Sequence, residues 1–110
     1  MIKFLTNEEV VVIYRKLIDF HGKNIELPIK FLYYLQRNVV TLEPIYNSII
    51  KTFKDLENKY GDIKDERFKA EYEEFIHIKN DIKIMTCNIS ELGDVKLSWQ
   101  DLQSIDFMID

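Results

Sequence analysis

His21, His77 and Cys87 are the side chains of this 110-residue sequence best suited to acid–base or nucleophilic work, and each stands without a partner at a useful spacing. His21 precedes Gly22 at the expected end of a helix, where the negative end of the helix dipole favours an imidazolium. His77 sits between Ile76 and Ile78, and no sequence-near Cys or carboxylate pair gives it the spacing of a triad or a metal site. Cys87 is the only cysteine, so no intrachain disulfide can form, and in a half-buried strand a lone thiol serves as a small core residue. No glycine-rich phosphate loop, nucleophile elbow or paired-histidine zinc motif occurs. These residues are read as structural, and the chain as non-enzymatic, with no catalytic residue, no metal and no cofactor.

Charge narrows the partners. A net charge of −4 disfavours nucleic acid and anionic lipid, because both attract summed positive charge. The acidic set Asp65, Glu66, Glu71, Glu73 and Glu74 has the density to imitate a phosphate backbone, but Lys64, Arg67, Lys69 and Lys79 are interleaved with it. Alternating signs mark a solvated helix face. Arg15, Lys16, Lys23, Lys30 and Arg37 are scattered through the first third, near Tyr33 and Tyr34, and make only a weak case for a nucleic-acid groove.

The elements that position these residues follow from pattern. With 46% hydrophobic and 31% charged residues, 110 residues suffice for one domain, 1–110, without metal or disulfide support. Three glycines and two prolines leave few turns, which favours long helices. A short strand is expected over Ile2–Leu5. Thr6 and Glu9 form a capping box for a first helix over Asn7–Phe20, with Val10, Ile13, Tyr14 and Leu17 on its inner stripe and Gly22 as a left-handed stop. Pro28 suits the first turn of a second helix. Within it Leu32, Leu35, Val39, Leu42, Tyr46, Ile49, Phe53, Leu56 and Tyr60 recur at alternating spacings of three and four, a heptad seam that ends at Gly61. Pro44 interrupts neither the phase nor the polarity of that seam, which predicts one long kinked helix, with a break near Thr41 as the alternative.

A third helix is expected over Asp65–Lys79, with Phe68, Tyr72, Phe75 and Ile76 on one face. The two-residue alternation of Ile82, Ile84, Thr86 and Asn88 then predicts a strand, and "GDVKLS" a further extended piece. Ser98 with Asp101 caps a closing helix whose stripe is Leu102, Ile105, Met108 and Ile109; Phe107 points off that stripe, either covered by a second surface or exposed as a contact point. The fold class is helix-dominated α+β: a long kinked helix packed by two or three shorter ones, with a small sheet of two or three strands. No apolar run reaches the roughly 18 residues of a membrane span, and a cytoplasmic location is expected.

The segment "KFLYYLQRNVV" is the strongest candidate for binding. Phe31, Tyr33 and Tyr34 cannot all share the seam's face, so either Phe31 and Tyr34 pack against the first helix or aromatic surface is presented to a partner on another side, with Arg37 beside it. Phe107 completes this expected contact set. Because the third helix is about half as long as the seam, the surplus seam predicts a homodimer with the long helices in contact. The opening "KFLTNEEVVVIYRKL", the amphipathic middle and the ending "IKIMTCNISELGDVKLSWQDLQSIDFMI" resemble an uncharacterised family of small phage and prophage proteins of Gram-positive, clostridium-like bacteria. The resemblance implies a phage context and no chemistry. The expected function is binding to a host or phage protein, as an inhibitor or modulator of a host antiphage system; a small virion-assembly factor is the alternative, and a nucleic-acid-binding regulator a weaker one.

Overall fold

The computed structural model describes residues 1–110 and opens with strand β1 (Ile2–Thr6), which runs directly into α1 (Asn7–His21). The junction is the expected capping box. The Glu9 amide donates to the Thr6 hydroxyl at 3.1 Å and the Thr6 amide donates to the Glu9 carboxylate at 3.0 Å, so amides that the helix leaves unpaired are satisfied locally. α1 buries Val10, Leu17 and Phe20. The left-handed stop expected at Gly22 is corrected: Gly22 has φ −74°, and the left-handed residue is Asn24 at φ 55°. A short amide side chain tolerates that region, so the chain reverses two residues later than glycine alone suggested.

α2 (Ile29–Tyr60) contains 32 residues, about 48 Å at 1.5 Å per residue, and spans almost all of the molecule's 51 Å long axis. It is continuous through Pro44, with no break at Thr41. Pro44 lies on the exposed side, and Val40, whose carbonyl loses its ladder partner, is also exposed, so water can hydrate that group. The seam itself is redrawn. Leu35, Leu42 and Ile49 are buried as expected, but Leu32, Val39 and Tyr46 are only half-buried, and the deeper neighbours are Phe31 and Asn38. The inner face of α2 is thus wider than a coiled-coil seam and is rotated toward Phe31.

α3 (Glu66–Ile76) starts at Asp65, whose carboxylate accepts from the Arg67 amide at 2.8 Å. It stops three residues short of the expected end, because Lys79 already pairs with Thr6. From there β2 (Lys79–Lys83) runs antiparallel to β1, in the register Thr6 to Lys79 and Ile2 to Lys83. The sheet has two strands only; the segment containing Val95 and Leu97 does not join it. After β2 the fully buried Asn38 takes over as a strand would, donating to the Met85 carbonyl at 3.0 Å and accepting from the Met85 amide at 2.8 Å.

A short 3-10 turn (Ile89–Leu92) leads to α4 (Trp99–Ile105), capped by Ser98 and Asp101 as predicted. Past Ile105 the chain tightens into a 3-10 turn (Asp106–Met108). Ile105 and Met108 are fully buried, while Leu102 and Ile109 are half-buried. The tail is pinned by a parallel bridge: the Cys87 amide donates to the Met108 carbonyl at 3.0 Å and the Asp110 amide to the Cys87 carbonyl at 2.9 Å. The result is a helix-dominated α+β fold with one long helix, three shorter ones and a small antiparallel sheet. No helix is long and apolar enough to cross a membrane.

Candidate docking groove

The run Val10–Ile13 puts four apolar β-branched residues in succession on α1, and a helix cannot turn all four toward one core. Val10 is fully buried, Val11 and Ile13 are half-buried, and Val12 is left 46% exposed. Val12 lies in a groove of about 280 Å³ where α1, the second half of α2 and α3 come together. Asn7, Glu8, Val11, Val12 and Arg15 form the α1 wall, Ile49, Ile50 and Phe53 the α2 wall, and Tyr72, Phe75 and Ile76 the α3 wall. Apolar side chains dominate, with polar groups only along the α1 edge.

Three sets of contacts hold these walls apart. At one end Asn7, nearly buried, donates to the Phe75 carbonyl at 2.9 Å and accepts from the Asn80 amide at 2.8 Å, while Asn80 also donates to the Leu5 carbonyl at 3.1 Å. This ties the start of α1 to the end of α3 and to the sheet. At the other end the Tyr14 and Tyr46 rings stack at 4.4 Å, and the Arg15 guanidinium lies over Tyr46 while its Nε donates to the Tyr46 hydroxyl at 3.2 Å. Burial, then the nearby Glu43 carboxylate and Tyr46, raises the Tyr14 pKa, so its phenol stays protonated. The far wall rests on an aromatic cluster in which Phe53 meets Phe68 at 6.2 Å and Tyr72 at 5.6 Å, edge to face.

Comparison with protein-family models, curated proteins and solved structures finds no match.

The expected contact set does not stay together. Phe31 is fully buried, which corrects its assignment to a partner surface: one position before the seam, it falls on the inner face of α2. Phe107 is corrected too. It is half-buried against the core, because the tail leaves α-helical geometry at Asp106 and the tighter 3-10 turn swings it inward. Tyr34 is half-buried against the core, with the Lys30 ammonium 5.6 Å over its ring. Tyr33 and Arg37 remain outside. Tyr33 is 52% exposed and accepts a 3.4 Å hydrogen bond from Arg37, whose guanidinium lies 6.0 Å from the ring. With Ile29 and Val40, both largely exposed, they form an outward stripe on the first half of α2.

Among the other reactive residues, Cys87 is buried and its thiol is pushed up to about 11, first by burial and then by the neighbouring Glu91 carboxylate. A thiol held protonated is a poor nucleophile. His77 places Nδ1 2.7 Å from the Glu73 carbonyl, a contact within its own helix end. Some members of the acidic and basic sets are ion-paired within the chain. Asp65 pairs with Arg67 at 2.8 Å, Glu71 with Lys59 at 3.0 Å, Lys30 with Glu91 at 2.6 Å and Lys23 with Asp101 at 2.5 Å. No three His, Cys, Asp or Glu side chains gather at a place that could hold a metal ion.

Proposed function

We propose that this chain is a non-enzymatic protein-binding factor whose partner docks in the groove between α1, α2 and α3. The observation that supports this most is the groove's lining: Val12, left 46% exposed on a capped helix, joins Val11, Ile49, Ile50, Phe53, Phe75 and Ile76 in one contiguous, mainly apolar surface open to a partner. The walls are braced at both ends by contacts inside the chain, so a partner meets a preformed surface and binding costs little ordering. Together with the resemblance to small phage and prophage proteins, this favours an inhibitor or modulator of a host antiphage system acting in the bacterial cytoplasm. Self-association is a second contact of the same molecule, through the Ile29, Tyr33 and Val40 stripe of α2.

Site-specific photo-crosslinking tests the groove. A photoreactive residue replacing Val12, in the chain expressed in a Gram-positive host with and without phage, is expected to yield one discrete adduct. The same residue replacing exposed Ile63, beyond the end of α2, is expected to yield none. A defence protein in the adduct supports the inhibitor role, and a virion protein supports assembly. Equal labelling from both positions, or labelling from neither, removes the groove as the binding surface.

A further inference from the structure

The groove has opposite charges at its two ends. Glu8 and Arg15 both line it, both are exposed, and neither is paired with an opposite charge elsewhere in the chain. They stand seven residues apart on α1, about 10 Å at 1.5 Å per residue, or two helical turns. Val12 and Ile50 lie on the apolar lining with them.

Resting on the protein-binding role above, we infer that the groove takes a two-turn amphipathic helix of the partner, docked antiparallel to α1, with an acidic residue at its N-terminal end against Arg15, a basic residue seven positions later against Glu8, and two apolar residues between them. Spacing sets the length. Side chains at positions i and i+7 of a helix share a face, so one pair of charges spans the distance from Arg15 to Glu8 while positions i+3 and i+4 enter the apolar middle. Polarity sets the direction. An acid at the start of the docked helix and a base at its end also suit that helix's own dipole, and an antiparallel placement sets its dipole favourably against that of α1. Arg15 keeps its terminal guanidinium nitrogens for a carboxylate, since only its Nε is engaged, by Tyr46.

The test uses the full chain and two 16-residue alanine-rich peptides held helical by a side-chain lactam. One carries Glu-x-x-Leu-Leu-x-x-Lys and the other Lys-x-x-Leu-Leu-x-x-Glu, otherwise identical, each with a fluorophore for anisotropy at physiological salt. The Glu-first peptide is expected to bind about three- to tenfold more tightly, the scale of two solvent-exposed ion pairs. Glu8→Lys combined with Arg15→Glu is expected to invert that order, Glu8→Gln with Arg15→Gln to abolish it, and Val12→Asp to weaken both peptides at least tenfold. All the substituted positions are exposed, and thermal melts of the variants check that the fold is kept. Equal affinities with Val12 dependence overturn the charge polarity and leave the groove standing. Failure of both peptides to bind, or a preference that the double reversal does not invert, overturns the helix assignment, whereas the Val12 crosslink tests the groove without any peptide.

Discussion

Asn38 shows how one side chain can replace a length of secondary structure. It sits fully buried in the middle of α2 and closes a two-point contact with the Met85 backbone, with Met108 Sδ a further 3.6 Å neighbour of its amide nitrogen. Replacing it takes the partner from the amide and the carbonyl of half-buried Met85, and an orphan fully shut off from water costs about 1 to 3 kcal/mol. Asn38→Ala is expected to lower unfolding stability in urea by about 2 to 4 kcal/mol, and Asn38→Leu by a similar amount, because filling the volume does not restore the hydrogen bonds. If Asn38→Leu matches the native chain, the contact with Met85 contributes nothing. This residue was invisible in the seam pattern, since an asparagine one position off an apolar heptad reads as solvent-facing. Phe31 was misplaced for the same reason: a period fixes the spacing of the buried set, and only the neighbouring elements fix which edge of it is deepest.

At the scale of elements, what could be read from the sequence was what is local. Thr6 with Glu9 and Ser98 with Asp101 are reciprocal contacts across three residues, and both capping boxes form as their spacing predicts. The end of α3 and the start of β2 depend on a partner strand more than 70 residues away, and these boundaries were misplaced. The groove combines three helices, each of which separately shows an ordinary apolar face; only the surplus of the Val10–Ile13 run signalled it. α4 offers a titration test. Asp101, nearly buried, has its pKa lowered below 3.8, first by the bond from Lys23 and then by the Ser98 amide and hydroxyl. A carboxyl with a lower pKa in the folded than in the unfolded chain stabilises at any pH above its unfolded value, and that stabilisation is lost as pH falls through the folded value. Asp101→Asn is therefore expected to be less stable than the native chain at pH 7, with a gap in urea midpoint that starts to close as pH drops below about 4. A gap that is unchanged at pH 2 to 3 removes the Lys23–Asp101 pair as its cause.

For the whole molecule, α2 sets the shape. A radius of gyration of 16.4 Å exceeds the roughly 13 Å of a compact chain of this length, and the extents of 51 × 25 × 20 Å are those of a rod. Such a rod needs no second copy to cover its heptad seam, because α1 packs along one part of α2 and α3 along another. The proposed homodimer therefore uses the outward stripe instead. Light scattering at tens of micromolar is expected to give twice the 13.2 kDa chain mass, and Val40→Asp to return it to a single chain. A monomer mass for the native protein rules the dimer out.

The joining of β1 to β2 also sets a timetable for folding. Residues 2–6 pair with residues 79–83, and Lys3 donates to the carbonyl of Phe107 across a sequence separation of 104. During synthesis α1, α2 and α3 can form and pack from local contacts, while the first strand, with Ile2 and Phe4 exposed even in the finished fold, waits for the last third of the chain to leave the ribosome. Once the helices pack, Asn7 at the start of α1 already lies against the Phe75 carbonyl at the end of α3, so the closure left to the strands is short. The sheet is thus the late step, and a nascent chain stalled before residue 79 holds its helices together while presenting an unpaired apolar edge to chaperones.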